Sequence, residues 1–241
     1  MATDVLSSNI LFVDVETVTV ESNYNNLPPV IQQAWNRKAE YFRESDNKTA
    51  AELFSERAAL YAEFGKIVSI AIGYFHTLDD GQNELRIKCI TDRNEAAVLH
   101  EFVETVQRFD QNQLRLCAHN GRDFDYPYLC RRMLVHGMKL PQSLQLMNKK
   151  AWEVPHLDTM EMWKFGEYKK FVPLELLAAL FSVKVDADKL LAPQDIQELY
   201  YEEKSLDNLI QSGYQNIRLL AQVYLSLLSQ PLLPDEQITE V

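Results

Sequence analysis

The chain has 241 residues, 46% of them apolar, and a formal net charge of −11. The length fits one large domain or two small ones, and the apolar fraction allows a sizeable core, which excludes a wholly disordered chain. The acidic balance argues against a protein that grips nucleic acid over a broad surface, because neutralising phosphates requires clustered Lys and Arg.

Targeting signals are not evident. No apolar run approaches the roughly 20 residues that span a bilayer, and the start MATDVLSSN lacks the basic and apolar stretches of a signal peptide. The three cysteines, Cys89, Cys117 and Cys130, fit no zinc spacing and are expected to be reduced and mostly buried. We therefore expect a cytoplasmic protein without a membrane partner.

The first 90 residues predict three strands with a helical insertion. In chain order the elements are a strand, two helices and two strands, at residues 10–20, 30–43, 49–63, 66–75 and 84–90. The strands are rich in apolar and β-branched residues, whereas the helices show a 3.6-residue period. Thr49 and Glu52 match a capping box at the start of the second helix, and Gly65 is expected to end it. A turn at 78–83 makes the last two strands an antiparallel hairpin.

The rest of the chain predicts helices alternating with strands. In chain order these are a helix at 94–109, a strand at 114–119, a helix at 124–135, a strand at 155–159 and helices at 173–181, 194–200, 205–211 and 213–229. This order implies an α/β protein with a mixed sheet and helices on both faces. We expect residues 1–241 to form a single domain, with a helical insertion at about 22–65 and a helical C-terminal part from about 173.

Two acids interrupt the apolar run LFVDVETVTV of the first strand. Asp14 and Glu16 stand two positions apart, so their side chains point to the same face of the sheet. Paired carboxylates repel each other and are costly to bury, and a divalent cation between them removes that cost. The negative net charge also suits hard cations, which prefer carboxylate oxygens. On the spacing alone, a surface pair or acids bound to Lys or Arg elsewhere are alternative interpretations.

A second acidic segment, CAHNGRDFDYPYL at residues 117–129, follows the fourth strand. A polar turn with Asn120 and Gly121 leads into a helix that carries Asp123 and Asp125. Asp123 fits the N-cap or first turn, where acids interact favourably with the helix dipole. The junction between a strand and a helix of an α/β sheet is also where ligands usually bind.

Together the two motifs resemble those of the DEDD, or DnaQ-like, 3′–5′ exonucleases, which have a ribonuclease H-like fold. DVET matches their Asp-x-Glu motif at Asp14 and Glu16, and HNGRDFDYPYL matches their Asn-x-x-x-Phe-Asp motif at Asn120, Phe124 and Asp125. The stretches GKIVSIAIGYF and FDYPYLCRRML look most similar to predicted exonucleases related to the proofreading domain of family B DNA polymerases. The resemblance implies a five-stranded sheet whose first three strands are antiparallel and whose last two are parallel.

The resemblance also implies two divalent cations, Mg²⁺ or Mn²⁺, and the 3′ end of a single-stranded nucleic acid as substrate. Asp14 would bridge the metals, Glu16 would bind the metal that activates water, and Asp125 would serve the second metal. Two metals about 3.5–4 Å apart supply both the hydroxide and the stabilised leaving oxygen that phosphodiester hydrolysis needs. The positions expected to shape the nucleotide site are Thr17, Asn120, Phe124 and Ser212.

The third motif departs from the family, which has Tyr-x-x-x-Asp on the C-terminal helix. Alignment by apolar pattern within residues 199–228 places Ser212 at the Tyr position and Asn216 at the catalytic Asp position. Asn offers a neutral oxygen where a hard dication prefers an anion, and Ser is too short to reach the attacking water. Asp158, at the end of the last strand, is only a minor candidate for a replacement acid. We expect weakened metal binding and slow or absent hydrolysis.

These observations leave several functions open. The first is a metal-dependent 3′–5′ exonuclease, and the second is a non-catalytic member of the same fold that binds nucleic acid ends or a protein partner. A third is a small-molecule phosphoesterase or oligonucleotide hydrolase. The motifs do not distinguish DNA from RNA. Some basic residues near the rim of the expected site are candidates for phosphate contacts, although exposed charges are usually just solvated. These residues are Arg122, Arg131, Arg132, Lys149 and Lys150.

Overall fold

The computed structural model describes residues 9–110, 113–167, 171–202 and 205–241, with the side chains of residues 43–46 left out. The strands in this part of the chain are β1 (Ile10–Thr19), β2 (Gly65–Thr77), β3 (Asn83–Thr91), β4 (Arg115–Ala118), β5 (Leu157–Asp158) and β6 (Ile238–Glu240). They form one mixed sheet in the order β5-β4-β1-β2-β3-β6. β1, β2 and β3 pair antiparallel, whereas β4 is parallel to β1 and β5 is parallel to β4.

The expected α/β fold with a mixed sheet is confirmed, but the expected number of five strands is wrong. β6 adds a sixth strand, which pairs parallel with β3 through Leu85 and Ile238. It has three residues, so no alternation of apolar and polar residues is long enough to predict it. The strand exists because the segment after the last helix returns to the free edge of β3.

The helices of the described residues are α1 (Pro29–Asp46), α2 (Ala50–Arg57), α3 (Glu95–Val106), α4 (Asp125–Val135), α5 (Thr159–Lys164), α6 (Leu174–Leu180), α7 (Pro193–Glu202) and α8 (Asp207–Leu227). The capping box of Thr49 and Glu52 is present at the start of α2. The expected end of that helix is wrong, because α2 stops at Arg57, a 3-10 turn follows, and Gly65 opens β2 instead.

Two further differences concern the C-terminal half. The two helices expected at 205–211 and 213–229 are one helix, α8, which continues through Gly213. The short helix α5 was not expected, and Asp158 caps it by accepting hydrogen bonds from the backbone N–H groups of Met160 and Glu161. The N-terminal stretch whose composition argued against a signal peptide lies, up to residue 8, outside the described residues.

The insertion between β1 and β2 has an apolar cluster of its own. Trp35 of α1 is fully buried against Leu53 and Phe54 of α2, and its ring N–H donates to the carbonyl oxygen of Ala50 at 2.8 Å. Burying each large apolar side chain contributes about 1.5–3 kcal/mol. This cluster holds α1 and α2 together beside the end of β1.

The alternation of β1 separates its side chains between two core clusters. Leu11 and Val13 lie in the cluster that includes residues of α3 and α4, whereas Ile10 and Phe12 lie in the cluster formed with α8. Side chains on a strand alternate with a period of two. β1 therefore directs its acidic positions toward α8.

The cysteines and the helices add two observations. All three cysteines are free, with Cys117 buried and Cys89 and Cys130 partly buried. In the described parts of the chain, no helix is both long enough and apolar enough to cross a membrane.

Candidate functional site

The candidate site lies where β1 extends beyond β4. The pairing of β4 with β1 covers only Ile10 to Phe12, so the later part of β1 is open on that side. Opposite, β2 continues to pair, with Ala71 across from Asp14 and Ser69 across from Glu16. The two acids expected to share a face do so, and both are half-buried.

α8 approaches this face closely because Gly213 has no side chain. A Cβ atom at Gly213 would lie 2.9 Å from the Sγ of Cys89 and 3.0 Å from the Cβ of Ala71, which is closer than side chains normally pack. One turn of the helix further on, Asn216 faces the acids. Its Nδ2 donates hydrogen bonds to Asp14 Oδ2 at 2.9 Å and to Glu16 Oε1 at 3.3 Å.

Ser212 lies one turn before Asn216 and is buried. Its hydroxyl has no hydrogen-bond partner among the described residues, so it does not bond to either carboxylate. Of the two positions of the third motif, residue 216 therefore supplies an amide that contacts the acids, and residue 212 does not contact them.

Asp125 approaches the site from the other side of the sheet. It opens α4, is buried, and its Oδ1 accepts a hydrogen bond from the backbone N–H of Val15 at 3.1 Å. That N–H lies on the part of β1 that β4 leaves unpaired. The first turn of α4 thus takes the place of a strand and brings a third carboxylate toward Asp14 and Glu16.

The three carboxylates have no compensating cation, since none forms an ion pair within the described residues. Burial raises the pKa of Glu16 well above its ordinary value, and the charges of Asp14 and Asp125 raise it further. Burial likewise raises the pKa of Asp125, with Asp14 adding to the effect. For Asp14, burial raises the pKa while the hydrogen bond from Asn216 lowers it.

The donor set fits a hard divalent cation in chemistry, because three uncompensated carboxylates offer oxygen ligands and negative charge. The positions of the three carboxylates in this structure do not enclose an ion. No three His, Cys, Asp or Glu side chains in the described part of the chain are arranged around a common point as metal ligands would be. Asp125 directs one oxygen to the backbone, and the amide of Asn216 occupies the space between the other two acids.

A cavity of about 150 Å³ opens beside Glu16. Thr17 and Phe124, two of the residues expected to shape a nucleotide site, line it together with residues of the 3-10 turn after α2 and of α7. The hydroxyl of Thr17 donates to the carbonyl oxygen of Ala59 at 2.9 Å, which ties that turn to β1. Phe124 also packs on Tyr128, with ring centroids 5.2 Å apart, so it serves both the core and the cavity.

Asn120, also expected at the nucleotide site, holds the turn before α4 and is not among the residues that line the cavity. It has a left-handed backbone with φ of 66°, and its N–H donates to Asp158 Oδ1 at 3.0 Å. Asp158 Oδ2 accepts from the N–H of Arg122, also at 3.0 Å. Asp158 is therefore a positioning residue for this turn, and its signal in the sequence is an Asp directly before a short helix.

One of the five basic residues expected near the site as phosphate contacts, Arg132, was wrongly assigned. Arg132 is buried and cannot contact phosphate, because its Nε and Nη2 donate to Glu95 at 2.8 and 2.5 Å and its Nη1 donates to the carbonyl oxygen of Ala62 at 2.9 Å. The other basic residues named from the sequence are exposed: Arg122, Arg131, Lys149 and Lys150.

Comparison with solved structures finds the same fold in part of a larger protein. The family B DNA polymerase from the hyperthermophilic archaeon Pyrobaculum calidifontis matches with a TM-score of 0.54 and 17% identity, covering 91% of this chain and 24% of the polymerase. At this identity the similarity concerns the fold, and this chain spans about a quarter of the polymerase's length. No curated protein matches the sequence significantly.

The family can be stated from a sequence model that matches residues 59–209, described as a predicted 3'-5' exonuclease related to the exonuclease domain of PolB. The match covers more than half of the chain, so the protein belongs to this family. It includes Asp125, whereas Asp14, Glu16 and Asn216 lie outside the matched residues.

Proposed function

We propose that this protein is a divalent-cation-dependent 3′–5′ exonuclease that hydrolyses phosphodiester bonds at the 3′ ends of single-stranded nucleic acid, and that its hydrolysis is slow. The observation that supports it is the approach of three uncompensated carboxylates, Asp14, Glu16 and Asp125, at the open end of β1. Family membership supports an exonuclease-related domain. The cations and the direction of cleavage belong to the proposal.

Asp14, Glu16 and Asp125 would hold the cations, Mg²⁺ or Mn²⁺. When bound, such cations supply a hydroxide at neutral pH and stabilise the leaving oxygen. The side chains around the 150 Å³ cavity would position the terminal nucleotide. Phe124 offers an aromatic surface for an unpaired base, and α7 restricts the opening because Gln197 Oε1 accepts from the N–H of Thr19 at 3.0 Å. A narrow cavity of this kind favours a single strand over a duplex.

The slow rate follows from the third motif. Asn216 is neutral, and its Nδ2–H groups, rather than its oxygen, face Asp14 and Glu16. A cation must displace these hydrogen bonds and would then gain only a neutral ligand. Ser212 makes no contact with the acids, so no hydroxyl from that position orients a water.

Two sequence expectations stay as parts of this proposal. Residues 1–241 would act as one exonuclease-like domain that includes the helical insertion and the C-terminal helices, and the protein would act in the cytoplasm. Limited proteolysis and cell fractionation test these two points. A protein partner that completes the site is compatible with the weakened third motif.

Hydrolysis is tested with 20-nucleotide single strands of DNA and RNA that carry a label at the 5′ end, incubated with Mn²⁺ or Mg²⁺. Progressive shortening from the 3′ end is expected, and chelation of the metal should stop it. Glu16→Gln should abolish the shortening, because it removes a ligand charge without changing the size of the side chain. Glu104→Gln, an exposed position on α3 without an ion pair to any described residue, is the matched control.

The proposal fails if the wild type shortens neither substrate and also binds no Mn²⁺ in calorimetry. Binding of the strands without any shortening would instead indicate the non-catalytic member of the fold. Equal activity of the wild type and Glu16→Gln would assign the hydrolysis to another site or to a contaminant.

A further inference from the structure

In one segment of this acidic chain, all of the Lys, Arg, Asp and Glu residues are basic ones. Residues 126–152 contain five Lys and Arg residues and no Asp or Glu, although the net charge of the chain is −11. Arg132 is used internally. The other four are exposed and form no ion pair with any described residue: Arg131, Lys139, Lys149 and Lys150.

A groove of about 520 Å³ lies against this segment. Its lining is mainly apolar, with Leu134 of α4 and Met147 of the following loop half or more exposed. Arg122 and Arg131 line the groove as well. Two acids, Asp123 and Glu161, also belong to the lining, and Glu161 is paired with Lys164 at 2.5 Å. The volume is in the range of pockets that take small organic groups such as a nucleotide.

An exposed aromatic residue lies beside one of these cations, and the two flank Ala151, which lines the groove. Trp152 is 78% exposed, and the Nζ of Lys150 lies 5.2 Å from the centroid of its ring. The short turn that carries both is closed by the N–H of Lys150, which donates to Glu153 Oε2 at 2.7 Å. Aromatic rings for base stacking next to cations for the backbone are the elements of single-strand recognition.

The groove and the candidate catalytic site share the turn that leads into α4. Arg122 and Asp123 line the groove, the next residue, Phe124, lines the cavity beside Glu16, and Asp125 follows. A strand whose terminal nucleotide lies at Phe124 therefore needs to cross only this turn to reach Arg122 and the groove.

We propose that the groove binds the single strand on the 5′ side of the terminal nucleotide. Arg122, Arg131 and Lys150 would contact phosphates, and Trp152 would stack on a base. A polyanion is favoured over a protein helix because cations gather at this one face of an otherwise acidic molecule and lack ion-pair partners in the described residues. This inference rests on the proposed function for the identity of the bound strand, and its experiment separates the two.

The test measures fluorescence anisotropy of labelled oligothymidylate and oligouridylate, of 4 and 20 nucleotides, in EDTA to prevent hydrolysis. The wild type should bind the 20-mers at least about tenfold more tightly than the 4-mers. Arg131→Glu, Lys150→Glu and Trp152→Ala should each weaken 20-mer binding by about fivefold or more, as expected for loss of a stacked base or a phosphate contact. Each charge reversal should also reduce the salt dependence, by about 0.7 in the slope of log K against log salt.

Matched controls are Lys184→Glu and Tyr41→Ala, which remove an exposed cation and an exposed aromatic residue outside the groove. Both should bind the 20-mers within about twofold of the wild type, because they lose the same chemistry from surfaces that the strand does not cross. A difference between oligothymidylate and oligouridylate would identify DNA or RNA as the preferred strand. Hydrolysis of the 4-nitrophenyl ester of thymidine monophosphate, which is too short to reach the groove, should be the same in all variants.

Several outcomes separate the groove from the exonuclease proposal. If the wild type hydrolyses the ester but the groove variants bind 20-mers normally, the groove inference is overturned and the enzyme stands. If nothing hydrolyses the ester but the groove variants lose length-dependent binding, the groove inference stands and the exonuclease falls. A third outcome is that the wild type sediments as a dimer, the groove variants sediment as monomers, and oligonucleotide binding is unchanged. The groove is then a protein interface and the inference is wrong.

Discussion

Asn216 is held between Asp14 and Glu16 by its own amide group, with Nδ2 at 2.9 and 3.3 Å from the two carboxylates. The amide donates to anions that otherwise repel each other, and it lowers the pKa of Asp14, which burial raises. A neutral donor at this position therefore stabilises the metal-free protein. The same contact works against a cation, which must compete with the amide for the oxygens.

Replacing Asn216 by Asp should separate these two effects. Without metal, Asn216→Asp exchanges a hydrogen bond for a like charge, and the free energy of unfolding should fall by about 1–3 kcal/mol. With Mn²⁺ the added carboxylate should restore stability, because ligand binding to the folded state stabilises it in proportion to ln(1 + [L]/Kd). Thermal melting in EDTA and in Mn²⁺ measures both.

The control for this prediction is Asn216→Ala, which loses the hydrogen bonds without adding a charge. It should be destabilised in EDTA but should not gain Mn²⁺ affinity as the Asp variant does. An equal increase in Tm with Mn²⁺ for the wild type and both variants would show that residue 216 does not face the metal.

Between elements, a buried ion cluster ties β2, α3 and α4 together. Glu95 Oε1 accepts from the N–H of Ile67 at 2.7 Å, its two oxygens accept from Arg132, and Oε2 lies 2.7 Å from Nε2 of His136. Burial alone would raise the pKa of Glu95, but the hydrogen bonds from Arg132 and His136 lower it. The cluster fixes α4, and thereby the orientation of Asp125 at its start.

Removing one partner of this cluster should be costly. Glu95→Ala leaves the guanidinium of Arg132 buried without its anion, so the free energy of unfolding should fall by about 3–5 kcal/mol. The double variant Glu95→Leu with Arg132→Met should be closer to the wild type, because no uncompensated charge remains. Urea denaturation measures both, with the partly exposed His136→Ala as a milder reference. A double variant less stable than Glu95→Ala would contradict this explanation.

For the whole molecule, the short edge strand β5 depends on a buried histidine just before it. His156 is fully buried, its Nδ1 accepts from the N–H of Leu116 in β4 at 3.1 Å, and the hydroxyl of Tyr126 donates to the carbonyl oxygen of Leu157. The pKa of His156 is lowered from 6.5 to about 4, mainly by burial and in part by the charges of Lys149 and Arg122, against a backbone hydrogen bond with Ser143 that raises it. The folded protein therefore holds this imidazole neutral.

This predicts an acid-side loss of stability. Below pH 6.5 the unfolded chain binds a proton at His156 that the folded protein does not, so the free energy of unfolding falls until the folded pKa of about 4 is reached. The loss is at most roughly 3.5 kcal/mol, since one pKa unit corresponds to about 1.4 kcal/mol.

His156→Gln keeps an acceptor but does not titrate, so the difference between its pH–stability curve and that of the wild type isolates this group from the acids of the candidate site. The curves should converge as the pH falls from 6.5 to 4. Parallel curves over this range would rule out the assignment.

Much of the fold was predictable because its information is local. The apolar and β-branched content of LFVDVETVTV identifies β1, the alternation of side chains along a strand puts Asp14 and Glu16 on one face, and the helix that begins with Asp125 was expected from its own segment of sequence. Where the pattern was too short, as in β6 and α5, the prediction missed the element. The internal use of Arg132 was also not predictable, because its partner Glu95 lies 37 residues away.

The sequence by itself determined the strands and helices long enough to show a period, the acidic spacing and the absence of an acid at position 216. Only the tertiary structure decided that the amide of Asn216, 202 residues from Asp14, donates to both acids, and that Asp125 bonds to the open edge of β1. The physical reason is the distance along the chain over which each kind of interaction acts. Periodicity is set by neighbours along the chain, whereas the meeting of these groups depends on α8 packing closely through Gly213 and on β4 ending early enough to leave β1 exposed.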